Sequence, residues 1–103
     1  MGIVRKFGDI VLAKVQYVDT SEIKERPALI LFEEHGNIVV AGITSNLNMV
    51  GIPLSKKEGI KEDSIIKLNY IFTIPEGKIT RGLLSLSSEK KEIVISELLK
   101  RLK

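Results

Sequence analysis

Short apolar runs separated by polar breakers organise the chain from residue 10 to residue 86, and only then does the period change. Ile10-Val11-Leu12-Ala13-Lys14-Val15, after the breaker Gly8-Asp9, predicts a first strand. Tyr17 to Glu25 is polar without a consistent period and reads as a flexible loop. Pro27 to Phe32 predicts a second strand and Ile38 to Thr44 a third. Between them Glu33-Glu34-His35-Gly36-Asn37 is a hairpin signal, with Gly36-Asn37 suited to positive φ. Ser45 to Gly51 reads as a loop, and Ile52-Pro53-Leu54 as a short edge segment, because proline cannot donate to a ladder. Ser55 to Asp63 is a charged surface excursion. Ser64 to Ile71 alternates, which assigns Ile66, Leu68 and Tyr70 to one face. A turn at Pro75-Glu76-Gly77 leads into a last short strand through Ile79 to Leu86.

The final segment predicts an amphipathic helix. Ser87 or Ser88 can cap it, and Glu89 falls in the first turn, where a negative charge favours the macrodipole. Val94, Leu98 and Leu102 are spaced by four, and Ile95 and Leu99 widen the stripe. Lys100, Arg101 and Lys103 suit the negative end of the dipole. Because its lysines alternate with glutamates, the stripe reads as core or dimer packing, not as a membrane face. Five or more short strands and one helix imply a mainly β fold, a small and strongly bent sheet or barrel. Such folds bind ligands through loops at one end or across an exposed sheet face.

Composition narrows the class. At 103 residues the chain is expected to be one domain, and no apolar stretch approaches the length of a membrane span. The N-terminus lacks an extended apolar segment, so the chain reads as cytosolic. The absence of cysteine excludes disulfides, thiolate catalysis and Cys-ligated metals together. A net charge of +3 leans towards polyanionic partners without locating a basic patch. Lys56, Lys57 and Lys61 stand among Glu58, Glu62 and Asp63, a screened surface mixture.

Candidate chemistry concentrates at two strand ends. Proline presets φ and drives the preceding residue towards extended geometry, so Arg26-Pro27 fixes a guanidinium at a loop–strand junction. That planar, permanently charged fork suits phosphate oxygens. The competing assignment pairs Arg26 with Glu22 or Glu25 at the surface. Thr44-Ser45-Asn46 ends the next apolar run, and two polar points at the ends of adjacent strands can converge. The same triplet also reads as a strand-ending turn. His35, the one histidine, falls in the hairpin and reads as solvated. Tyr17 is a candidate for stacking on a base or for packing.

Taken in order, these segments resemble the PemK/MazF toxin family. The matching stretches are Gly8-Asp9-Ile10-Val11-Leu12, Arg26-Pro27-Ala28-Leu29-Ile30-Leu31 and Ala41-Gly42-Ile43-Thr44-Ser45-Asn46. They continue through Ile52-Pro53-Leu54, Ser64-Ile65-Ile66-Lys67-Leu68, Phe72-Thr73-Ile74 and Gly82-Leu83-Leu84-Ser85-Leu86-Ser87. The resemblance implies an SH3-like barrel (PemK/CcdB-like) with a C-terminal α-helix, a homodimer, and a toxin restrained by a cognate antitoxin that can also bring it to operator DNA. It further implies metal-independent, cofactor-free cleavage of single-stranded RNA to a 2′,3′-cyclic phosphate and a 5′-hydroxyl. On it, Arg26 contacts the scissile phosphate and Thr44 contributes to the site. The loop from Ser21 to Glu25 closes over the RNA, with Ser21 and Glu22 accessory, and Ser45, Asn46, Lys67 and Asn69 complete the RNA-facing set.

One departure bears on mechanism. Several members carry a basic and an acidic residue two positions apart in the late strand, as an acid–base pair. Here the positions hold Lys67 and Asn69, and an amide cannot accept a proton as a carboxylate does. One alternative is therefore a weak or inactive nucleic-acid-binding module; another, a gyrase-directed toxin of the same fold acting through its terminal helix, is opposed by the Arg-Pro and Thr-Ser motifs.

Overall fold

The computed structural model describes residues 5–16 and 23–103. Six strands, β1 (Asp9–Gln16), β2 (Ile23–Glu34), β3 (Asn37–Thr44), β4 (Ile52–Leu54), β5 (Ser64–Pro75) and β6 (Ile79–Ser85), precede the helix α1 (Ser88–Leu102). They form one antiparallel sheet in the order β4-β5-β3-β2-β1-β6, curled into a half-barrel. The mainly β expectation with a terminal helix is met. Short 3-10 turns at Lys56–Glu58 and Glu76–Lys78 fill the connections before β5 and β6.

Successive strand residues face opposite sides, and this chain buries both sides. One core gathers Ile10, Leu29, Ala41, Ile43, Ile66 and Leu68 beneath Val94 of α1, with Ile52 and Leu54 of the edge strand. The alternate residues Val11, Ala13, Ala28, Ile30, Val40 and Ile74 build a second core on the other face, extended by Val15 and Ile79. α1 starts where serine capping demands, with the Ser87 hydroxyl oxygen accepting from the Lys90 N–H at 3.1 Å. Val94 is the buried helix residue, whereas Ile95, Leu99 and Leu102 of the predicted stripe stand exposed.

Three local expectations change. Ile23, Lys24 and Glu25 belong to β2, not to a loop, because they pair with Gln16, Val15 and Lys14 of β1. That register sets the opposite charges of Lys14 and Glu25 across from each other, a favourable cross-strand pair. The positive-φ residues of the hairpin are His35 (50°) and Gly36 (81°), with Asn37 already paired to Glu34. Positive φ at both central residues is the two-residue turn whose twist matches the flanking strands. Finally, Tyr70 does not share a face with Ile66 and Leu68. Ala41 pairs with Ile71 but Gly42 pairs with Lys67, so the segment between Lys67 and Ile71 bulges out of the ladder. A bulge re-aims side chains, and Tyr70 is turned over Gly42 on the opposite face, where a Cβ on that glycine would meet the Tyr70 Cβ at 3.5 Å.

Candidate functional site

Arg26 lies inside β2, paired with Ala13, and not at a loop junction; it is half-buried. What the proline does is end a ladder. The pairing of β2 with β3 runs to Ala28–Gly42, and Pro27 has no N–H with which to extend it. The strands open beyond that rung, and continuing their register by two residues sets Arg26 in line with Thr44. On the far side of β3, Gly42 pairs with Lys67 and Thr44 with Ile65. Residues opposite one another in an antiparallel sheet share a face. Arg26, Thr44 and Lys67 therefore line one mouth of the second core. Ala13, Ala28 and Gly42 form its small-residue floor.

The loop after β3 is built by its own polar groups. Thr44 Oγ1 accepts from the Asn46 N–H at 3.1 Å, Asn46 Oδ1 accepts from the Asn48 N–H at 3.0 Å, and the Asn46 carbonyl accepts from the Met49 N–H at 3.1 Å. The turn assignment of the triplet thus holds. Thr44 closes a turn as an acceptor and retains its own O–H as a donor. Ser45 and Asn46 are exposed on the loop.

Lys67 ties this loop to the sheet. Only 7% exposed, it donates from Nζ to the Val50 carbonyl at 3.0 Å, and its Nζ lies 5.4 Å from the centroid of the Tyr70 ring. A buried ammonium needs such acceptors, and a carbonyl with an aromatic face supplies them. Gly51 permits the approach, since a Cβ there would overlap the Ile66 carbonyl oxygen and the Ile65 side chain. The cation is thus enclosed beneath the loop and an aromatic ring.

The other expected residues are distributed less tightly. Asn69 is exposed within the β5 bulge. Ser21 and Glu22, with Tyr17, lie outside the described residues. His35 is exposed at the hairpin turn, away from the mouth. Among the described residues no group of three or more His, Asp or Glu side chains is arranged to hold a metal ion, and no helix is long and apolar enough to cross a membrane. Two exposed aromatic residues that flank the mouth, Tyr70 and Phe72, carry no role in the sequence reading; simple alternation hides the first by assigning it to the core side.

The fold defines the class first: a small curled β-barrel closed on one side by a C-terminal helix. A model of PemK-like, MazF-like toxins of type II toxin–antitoxin systems matches residues 6–102. The structure is also similar to that of the Mycobacterium tuberculosis toxin MazF-mt6, with 27% identity and a TM-score of 0.69 over 86% of this chain and 89% of that one. The chain belongs to the PemK/MazF-like toxin family of type II toxin–antitoxin systems.

Proposed function

We propose that this toxin is a sequence-selective, metal-independent endoribonuclease that cleaves single-stranded RNA and is neutralised by its antitoxin. The observation that carries the reading is the register that sets Arg26, Thr44 and Lys67 on one face at the opening between β2 and β3. Family membership supplies the toxin role, and the structural similarity to MazF-mt6 supports it.

In this chemistry the nucleophile is the substrate's own ribose 2′-hydroxyl. It forms a bond to phosphorus in line with the departing 5′-oxygen and gives a 2′,3′-cyclic phosphate and a 5′-hydroxyl product. No protein nucleophile, metal or cofactor takes part. The protein's task is alignment and stabilisation of the charge that grows on the phosphorane oxygens. The Arg26 guanidinium meets that charge, the Thr44 O–H donates to a second oxygen, and Lys67 adds positive potential from below. Ser45, Asn46 and Asn69 contact the flanking nucleotides, with Ser21 and Glu22 accessory. Because Asn69 presents an amide where a carboxylate could take a proton, the 2′-hydroxyl proton leaves to solvent, and the 5′-oxygen is protonated by water. A homodimer, operator-DNA binding through the antitoxin, a single-domain chain and a cytoplasmic location complete this reading.

The test is incubation of the purified protein with a long single-stranded RNA in EDTA, followed by mapping of the ends. Cleavage to cyclic phosphate and 5′-hydroxyl termini at a recurring short motif is expected. Intact RNA bound with a steep salt dependence would turn the reading into that of a binding module. No binding and no cleavage would overturn both and favour a protein-directed toxin.

A further inference from the structure

The aromatic pair on the β5 bulge has no structural task equal to its exposure. Tyr70 is 54% exposed and Phe72 36%, although both belong to a sheet whose neighbouring positions Val40 and Ile74 are buried. They stand on the face of the mouth, close over Gly42: a Cβ there would lie in ordinary contact, 3.5 Å from the Tyr70 Cβ and 3.8 Å from the Phe72 ring. Lys67, which pairs with Gly42, places its Nζ over the Tyr70 ring. The ring therefore has a cation on one side and solvent on the other.

We infer that Tyr70 and Phe72 form a stacking platform that receives one unstacked nucleobase of the bound RNA beside the phosphate at Arg26 and Thr44. The inference rests on the proposed RNA substrate and specifies how that substrate is held. Every base has a π face, so an aromatic platform binds single strands with little dependence on hydrogen-bonding edges. In duplex RNA the bases are already stacked, so the platform selects single strands. A cation against the buried side of the ring holds Tyr70 in place without covering the side the base would use. The placement fits the chemistry: Tyr70 lies in the bulge that follows Lys67 and Phe72 just beyond it, paired with Val40, on the strand next to that of Thr44. A base seated there pins the nucleotide next to the scissile linkage, which in-line attack requires.

The test compares wild type with Tyr70→Ala, Tyr70→Phe and the Tyr70→Ala/Phe72→Ala double variant, using a long single-stranded RNA for cleavage and gel-shift binding. On the order of tenfold weaker binding is expected for Tyr70→Ala, more for the double variant, and near-wild-type binding for Tyr70→Phe, which keeps the ring. In a Tyr70→Trp variant the introduced indole is the only one in the chain, so its emission should be quenched by single-stranded RNA and not by duplex RNA. That variant keeps an aromatic ring and gives an answer even where the alanine variants fold poorly. Unchanged binding in a folded double variant, or an unquenched indole while wild type cleaves, overturns the platform and leaves the nuclease reading standing. Quenching without cleavage overturns the nuclease reading and keeps the platform as part of a binding module. A change of oligomeric state with no change in RNA binding assigns the aromatic pair to protein contact and overturns the inference.

Discussion

The two faces of one sheet are made from alternate residues of the same strands, yet they serve opposite ends. On the helix side, Ile10, Leu29, Ile43, Ile66 and Leu68 are large aliphatics closed beneath Val94. On the other, Ala13, Ala28 and Gly42 are small, and the mouth they floor is edged by Arg26, Thr44, Lys67 and two exposed aromatic rings. Dispersion and apolar burial scale with the atoms enclosed, and Val11, Ile30, Ile38, Val40 and Ile74 are buried on this second side as well, so both faces hold the fold. At that edge the Lys67 side chain is held by the Val50 carbonyl and the Tyr70 ring. The proposed site opens on the face that carries the small residues.

Substitutions can break this division or sharpen it. Leu29→Ala, in the closed core, should cost about 2–5 kcal/mol of stability by denaturant unfolding, with cleavage per folded molecule unchanged. A loss of activity matching Arg26→Ala would show that the faces are not separable. Arg26→Ala should lower RNA cleavage by about 10²–10³-fold, the effect of removing one preorganised donor to developing charge. Its unfolding midpoint should stay close to wild type. Asn69→Asp tests what takes the proton. Wild-type cleavage should rise with pH without a plateau near neutrality, whereas the carboxylate should raise the rate at pH 7 by about 10²-fold and flatten the profile; identical profiles would place the base elsewhere.

Gly51→Ala is the case that joins the two faces. The added methyl would meet the Ile66 carbonyl, so about 1–3 kcal/mol of stability should be lost, and the loop that holds Lys67 should shift with it. Greater proteolysis at residues 45–50 together with weaker RNA binding would mark that coupling. The smallest effect is expected at the far end of α1. There the Lys100 ammonium, and then the Arg101 guanidinium, hold the Glu97 carboxyl below the usual carboxylate range. The unfolded chain binds that proton more readily, so the contribution is present above the ordinary carboxylate pKa and fades as pH falls through the lowered one. Thermal melts of Glu97→Gln should lie slightly below wild type at pH 7 and converge with it as the pH falls through the lowered carboxyl range.

The strands were legible because their signals are local. Ile10–Val15 and Ile38–Thr44 are apolar runs set off by breakers, the Gly36 hairpin marks a turn, and Ser87 marks a helix start. Arg26 was legible beside Pro27, whose backbone effect is intrinsic, and Thr44 as the polar end of an apolar run. Tyr70 was not. Its alternation with Ile66 and Leu68 is unbroken in the sequence, and only the pairing of β5 with β3 introduces the bulge that reverses its direction. Ile23–Glu25 likewise carried no strand signal of their own; the charged side chains form a strand because β1 offers them a ladder.

By itself the sequence determined the β-rich order of elements, the capped terminal helix and the family pattern. All of these follow from φ restriction, side-chain period and capping chemistry within a few residues. Tertiary structure alone decided which side chains share the mouth, that Lys67 is enclosed beneath Val50 and Tyr70, that Gly51 must lack a side chain, and that Ile95 and Leu99 stand outside the core. Those outcomes depend on register between distant strands, and a single bulge changes a face without changing the composition of the segment that contains it.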